Sequence, residues 1–347
     1  MDFTKEILYW YETNRRDLPW RRTENPYFIW LSEVILQQTR VDQGMAYYLR
    51  FIEHFPNIKS LAHAPEQEVL KLWQGLGYYS RARNLHFAAK QLVNDHNSTF
   101  PDTYQEILTL KGVGEYTAAA VASIAFGEAV PVVDGNVKRV IARIFGLHNA
   151  GKKLYDESKA IMQTKMDPAR PGEFNQAVME FGALQCVPNN PDCETCIFKQ
   201  QCYAFLEGKI SELPAREIKK KPRKRYFSYF VVHTDEESII LKKRSDQDIW
   251  KNLYEFPMIE SLKELDTENL LAEPEFQNWF GKEASIVEKG DVYKHQLSHQ
   301  TILARFYKID LSKNDLKVHP DWKEIPLKKL SEYPVSRLME RYFENGV

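Results

Sequence analysis

Apolar positions follow two different rhythms along this chain. Up to about residue 210 they recur every three or four residues, the interval that lays one stripe along a helix. "IWLSEVILQQTRV" places Ile29, Val34, Ile35 and Val41 at such intervals and predicts a helix. Two longer stretches, "APEQEVLKLWQGLGYYSRARNLHFAAKQLV" and "PDTYQEILTLKGVGEYTAAAVASIAFG", predict helix, glycine-rich turn, helix. Pro65 stands just inside the first of these starts, where a missing N–H costs nothing. After Tyr226 the rhythm shortens. "YFSYFVVH", "SIILKKR" and "TILARFYKI" are β-rich and partly alternating, with helices expected near residues 262–271 and at the C-terminal end. The pattern therefore predicts an all-α domain over 1–210 and an α+β domain over 226–347. Residues 211–225, which include the basic, proline-interrupted "LPAREIKKKPRKR", read as an exposed linker.

Composition changes this picture little. A chain of 347 residues fits two domains, and 43% hydrophobic with 27% charged residues is ordinary for a globular protein. No apolar run approaches the roughly 18 residues needed to span a bilayer. The N-terminus lacks the basic-then-apolar order of a secretory signal, so a soluble, cytoplasmic protein is expected. The net charge of −1 says nothing about partners. Its distribution says slightly more: residues 1–225 are mildly basic and the remainder mildly acidic, which permits a nucleic-acid face on the first part.

Candidate chemistry lies at four places. Cys186, Cys193, Cys196 and Cys202 are the chain's four cysteines. Thiolates this close together can wrap one tetrahedral zinc or one [4Fe–4S] cluster; a single CxxC pair, where zinc ribbons usually carry two, weakens the zinc reading. The loop Gly112–Val113–Gly114 precedes an alanine-rich helix. It is either a plain helix–helix turn or a place where backbone amides and a helix N-terminus meet one phosphate. Asp134, with Gly135 and Asn136 behind it, ends a short apolar run and reads as a helix N-cap. Finally, Glu33 sits in the apolar surroundings of "WLSEVILQQTRV", where a carboxyl either reaches a helix surface or has a raised pKa and a chemical task.

Taken together, the hairpin Leu110–Ala118, Asp134 and the four-cysteine loop resemble the helix-hairpin-helix DNA glycosylase superfamily, of endonuclease III type. The stretches "RRDLPWRRTENPYFIWLSEVILQQTRV", "GLGYYSRARNLH" and "FNQAVMEFGALQC" are similar to the MutY family of adenine DNA glycosylases within it. This resemblance implies a helix-hairpin-helix glycosylase domain with a [4Fe–4S] loop at 186–202, followed by a MutT-like (Nudix-like) domain that reads the mispaired base. Residues 226–343 show no arrangement of acids that would hold magnesium for nucleotide hydrolysis. Relatives of the lyase type carry a lysine where Tyr116 stands; a phenol forms no Schiff base, so a monofunctional glycosylase is expected.

The resemblance implies a division of labour. Glu33 would be the general acid toward adenine and Asp134 the ionised carboxylate beside the cationic sugar, with Tyr116 and Asn136 in support. Gln38 and Tyr78 would wedge into the base stack beside Leu76 and Gly77. Trp20, Arg21, Thr39 and Gln176 would lie near the flipped base or its partner, with Gly112, Val113 and Gly114 on a backbone phosphate. Ser298 and His299, in "HQLSHQT", would meet 8-oxoguanine. Leu297 stands where relatives often have phenylalanine, and "VPNNPD" between Cys186 and Cys193 holds no arginine, unlike many relatives. The expected partner is double-stranded DNA with A:8-oxoguanine or A:G, bound by a monomer at the nucleoid. An endonuclease III-like pyrimidine glycosylase/lyase and a non-catalytic DNA-binding module are the alternatives.

Overall fold

The computed structural model describes residues 2–215, 222–235, 237–245, 248–281, 284–310 and 319–345. Residues 216–221 of the expected linker lie outside them. In chain order the helices are α1 (Phe3–Asn14), α2 (Pro26–Leu36), α3 (Val41–His54), α4 (Ile58–His63), α5 (Glu66–Trp73), α6 (Ser80–Asp95), α7 (Tyr104–Ile107), α8 (Glu115–Phe126), α9 (Gly135–Phe145), α10 (Gly151–Lys165), α11 (Pro171–Leu184) and α12 (Tyr203–Leu206). Strands follow: β1 (Arg223–Val231), β2 (His233–Asp235), β3 (Ser238–Lys243), β4 (Tyr254–Glu255) and β5 (Met258–Ser261). Then come α13 (Thr267–Ala272), α14 (Pro274–Phe280), β6 (Ser285–Gln296), β7 (Gln300–Asp310), β8 (Trp322–Pro326) and α15 (Arg337–Glu344).

Two compact units result: Met1–His63 with Asn84–Ile218, and Ala64–Arg83 with Lys219–Val347. Within the first, α2 is the central helix. Asn25 caps it by accepting from the Tyr27 amide (3.0 Å), and Pro26 fills its first turn. Eight of its eleven residues are buried, Glu33 among them. The helix is shorter than its apolar spacing suggests. It stops at Leu36 because Gln38 turns the backbone to φ 55°, and Val41 opens the next helix instead.

Alanines let α8 approach its neighbours. Ala118, Ala119, Ala120 and Ala122 are all buried where α8 packs on α2 and α11. The α11 contact is close enough that a Cβ on Gly172 would stand 2.6 Å from the Ser123 carbonyl oxygen. Phe3, Ile7, Trp10, Val137, Ile141, Phe174, Phe181 and Phe198 form a second core region joining α1, α9, α11 and the cysteine segment. It fastens the N-terminus of α9, and hence Asp134, to the body of the unit.

The hairpin between α7 and α8 depends on Gly112. Its φ of 76° is left-handed, and a Cβ there would lie 2.4 Å from the Asn84 Cβ. Gly112→Ala therefore combines a backbone penalty of about 1 kcal/mol with a steric clash. Chemical denaturation should show a loss of roughly 2–3 kcal/mol.

The second unit holds two sheets, ordered β5-β1-β7-β6 and β2-β3-β4, with β8 also pairing with β3. β1 and β7 run parallel and the other pairings are antiparallel. Phe230, Ile240, Leu270, Phe276, Phe280 and Trp322 fill the core beneath α13 and α14. These two helices replace the single one expected near 262–271: Asp266 caps α13 and Pro274 begins α14 afresh. Segment 64–83, contiguous in sequence with the helical domain, packs within this unit. The Tyr79 hydroxyl donates to the Val335 carbonyl (3.0 Å), and the Gln74 amide donates to Glu340 (2.5 Å).

Candidate active site

A cavity of about 190 Å³ opens in the first unit, walled by α2, α8, α11, the start of α9 and the turn at residues 16–21. Glu33 reaches it from the middle of α2 and is 8% exposed. Its carboxylate accepts from the Tyr116 hydroxyl at 2.5 Å. Burial raises the Glu33 pKa to about 7. The Tyr116 hydrogen bond opposes this, the nearby Asp134 adds to it, and Arg21 opposes it. The carboxyl is thus poised to carry a proton near neutrality. The Tyr116 phenol is itself pushed well above its ordinary value, by burial first and then by the two carboxylates, so it stays a donor.

Asp134 lines the same cavity from the N-terminus of α9. One oxygen accepts from the Val137 amide (2.7 Å) and the other from the Asn136 side chain (3.0 Å). The N-cap read from the sequence is real, and the same carboxylate faces the pocket. Burial raises its pKa, while the Val137 and Asn136 donors oppose the rise. The charge on Asp134 is one of the causes that raise Glu33. Two carboxyl groups thus share one cavity in different surroundings, Glu33 beside a phenol and Asp134 under a backbone amide and an amide side chain; paired carboxyls are the groups that cleave glycosidic bonds. No lysine lines the cavity among the described residues, so no amine is placed there for a Schiff base.

Of the residues singled out in the sequence, Trp20, Arg21, Glu33, Thr39, Tyr116, Asp134, Asn136 and Gln176 line this one cavity. Gln38 is exposed beyond it. Gly112, Val113 and Gly114 form the hairpin turn: Gly112 and Gly114 are exposed, while Val113 is buried. In the second unit Leu76 is buried, whereas Tyr78, two residues on, is 49% exposed with φ 45°. The Trp73 indole donates to the Gly77 carbonyl (3.0 Å), and Arg81 lies 5.6 Å from the Tyr78 ring centroid. Ser298 and His299 sit in the exposed turn between β6 and β7, with Ser298 Oγ 3.1 Å from His299 Nδ1. Leu297 precedes them, half-buried.

Sequence reasoning missed several pocket residues. Arg16, Met179 and Glu180 also line the cavity. Glu180 follows Gln176 by four residues on α11, so the two share a helix face; that spacing was the available signal. Arg139 follows Asn136 by three. It donates to Asn136 Oδ1 (2.9 Å), to the Gly182 carbonyl (2.7 Å) and to the Cys186 carbonyl (2.8 Å).

Cys186, Cys193, Cys196 and Cys202 are free thiols lining a second cavity, together with Ile144, Phe181 and Phe205. Among the described residues no group of three or more His, Cys, Asp or Glu is placed to hold a metal ion. The buried Arg143 donates to the Val187 and Pro188 carbonyls (2.8 and 2.9 Å) and points to Cys186 Sγ at 3.5 Å.

Comparison with known proteins finds two families along the chain. Residues 31–168 match the HhH-GPD superfamily of base excision DNA repair proteins, and residues 228–345 match the NUDIX domain. A thermostable thymine-DNA glycosylase aligns at 32% identity and a TM-score of 0.56 over 59% of this chain and 95% of its own. An endonuclease III trapped on DNA shares the helical fold, at 21% identity and a TM-score of 0.53, over 59% of this chain and 94% of its own. An adenine DNA glycosylase of Buchnera aphidicola (strain Bp) is 35% identical over 86% of this chain and 84% of its own. The one from strain APS is 38% identical over 76% and 75%. With relatives at that identity aligned over most of both chains, the chain belongs to the adenine DNA glycosylase family.

Proposed function

We infer that this protein is a monofunctional adenine DNA glycosylase of base-excision repair, acting on adenine opposite 8-oxoguanine or guanine. The observation that carries the reading is the single cavity in which a buried carboxyl poised near pH 7 and a hydrogen-bonded second carboxylate meet, with no lysine beside them among the described residues. The target adenine leaves the duplex, at a cost of a few kcal/mol. Glu33 gives its proton to the base as the N-glycosidic bond breaks, and the departing purine becomes neutral. Asp134 stands against the oxocarbenium sugar. Water then completes hydrolysis to an abasic site. Tyr116 and Asn136 hold the two carboxylates in place, while Trp20, Arg21, Thr39 and Gln176 shape the pocket around the base.

Binding to the duplex rests on several surfaces. The Gly112–Val113–Gly114 turn offers amides at the start of α8 to one phosphate. Tyr78, exposed and held in a left-handed turn, is one wedge into the base stack, with Leu76 and Gly77 beside it, and the exposed Gln38 is the other. Ser298, supported by His299, reads the N7 edge of 8-oxoguanine. The partner in this reading is double-stranded DNA, bound by a monomer at the nucleoid. Among the described residues no helix is long and apolar enough to cross a membrane.

The donor chemistry of the four cysteines supports a [4Fe–4S] cluster, which would draw their thiols closer than they stand without it. All four cysteines line one cavity, with Ile144, Phe181 and Phe205 on its wall beside Asp192 and Lys199, and Arg143 supplies a charged donor to Cys186. When bound, the cluster would serve as a structural crosslink, holding 186–202 against α9 and α11. Brown protein with about four irons per chain is the expected result of metal analysis; colourless protein holding zinc would overturn it.

Incubation with an A:8-oxoguanine duplex followed by alkali tests the function. A cut on the adenine strand is expected, with no borohydride-trapped adduct. Strong trapping, or a cut at damaged pyrimidines, would favour the glycosylase/lyase alternative. In the same assay Ser298→Ala should reduce the preference for 8-oxoguanine over guanine by about tenfold, the value of one hydrogen bond of ~1.4 kcal/mol.

A further inference from the structure

Glu180 is the most heavily donated-to carboxylate near the active pocket. It is 2% exposed. Oε1 accepts from the Arg16 amide (3.0 Å), Arg16 Nε (2.9 Å) and Arg21 Nη1 (2.8 Å); Oε2 accepts from Arg16 Nη2 (2.7 Å) and Arg21 Nη2 (2.8 Å). Two guanidinium groups thus grip one carboxylate in fork geometry, and all three side chains line the cavity that Glu33 and Asp134 share. Packing alone does not call for such an arrangement. Three charges in a pocket wall are costly to bury, and a pocket that binds a neutral base needs none of them for cohesion.

We propose that Glu180 is a positioning residue acting as the counter-charge of the pocket: by gripping Arg16 and Arg21 it keeps their positive charge off Glu33, which therefore holds its proton. This rests on the reading of Glu33 as the general acid. The groups facing Glu33 are few. Tyr116 of α8 donates to it, Asp134 and Asn136 lie at the start of α9, with Arg139 behind Asn136, and Arg21 comes from the turn before α2, with Arg16 on the same cavity wall and bonded to the same Glu180. Asp42 of α3 acts on Arg16 rather than on Glu33. Arg21 already pulls the Glu33 pKa down. With Glu180 neutral, Arg16 and Arg21 carry two uncompensated charges that favour the ionised form of Glu33. The burial that would raise Glu180 itself is outweighed by the Arg16 and Arg21 donors, which hold it near 2, so it remains the negative partner throughout the working range.

Two substitutions move the balance in opposite directions. The protonation of Glu33 is read directly, from the infrared carboxyl band that Glu33→Gln removes, and the rate of adenine release under single turnover is followed over the same pH range. Glu180→Gln should lower the midpoint of that band by about one pH unit. Release should fall about tenfold above neutrality, and the rate should recover as the pH is lowered. Glu180→Asp should restore most of the wild-type profile. Arg16→Gln, on a side chain 35% exposed and so tolerant of change, should raise the midpoint. It keeps the test available should Glu180→Gln fail to fold. An unmoved band midpoint in Glu180→Gln, or in Arg16→Gln where Glu180→Gln does not fold, overturns the proposal. So does a release rate lowered equally at every pH, which is what a merely structural role would give. Full turnover by Glu33→Gln would refute the general-acid reading itself, and the band midpoint would still decide whether Glu180 sets the charge of the pocket.

Discussion

Glu33→Gln is expected to bind an adenine mispair as tightly as the unsubstituted protein and to release adenine more slowly by about 10²–10⁴-fold, the usual worth of a general acid. The amide is nearly isosteric and still accepts from the Tyr116 hydroxyl, so the pocket keeps its shape; only the transferable proton is gone. The pH dependence follows from the same group. Glu33 must be protonated, and burial holds its pKa near 7. Release should therefore be fastest below neutrality and fall as the pH rises through about 7. Asp134 must be ionised, so release should fall again at lower pH. The alkaline limb belongs to Glu33: if it survives in Glu33→Gln under single turnover, the acid lies elsewhere.

Asp134→Asn is the complementary experiment. Asparagine caps helices as well as aspartate does, so Val137 keeps its partner and α9 keeps its start. The lost charge at the helix N-terminus and the lost Asn136 hydrogen bond should together cost about 1–2 kcal/mol of stability. Adenine release should nevertheless fall by about 10²–10³-fold, the scale of removing one preorganised electrostatic contact from a developing charge. The comparison with Asp134→Ala separates the two roles. Alanine removes the cap as well and should destabilise by about 0.5–2 kcal/mol beyond asparagine, while its rate should fall no further. A larger rate loss for alanine would mean that the cap, not the charge, sets the chemistry.

Much of the layout was legible before any coordinates. Helical periodicity, the glycine-rich turns and the switch to alternation after Tyr226 are local properties of the chain, written at spacings of two to four residues. They located α2, α5, α6, α8, β1, β3 and β7. They misjudged the end of α2, because the break at Gln38 is a single left-handed residue with no glycine to announce it. Segment 64–83 lies within the HhH-GPD match along the chain and clusters in space with the second unit, because a helix carries no mark of which core its apolar stripe will meet; Tyr79, Gln74 and Asn252 decide that through partners found beside them only after folding. The sequence alone determined which residues are chemically able: a carboxyl in an apolar helix, an aspartate before a helix start, a tyrosine in place of an amine, four clustered thiols. Tertiary structure alone decided what those groups are worth. Glu33 and Asp134 are 101 residues apart in sequence, and Glu180 lies farther along still. Burial, the Tyr116 hydroxyl and the arginine clamp act through space over a few ångströms, and pKa values are set by that distance rather than by position in the chain.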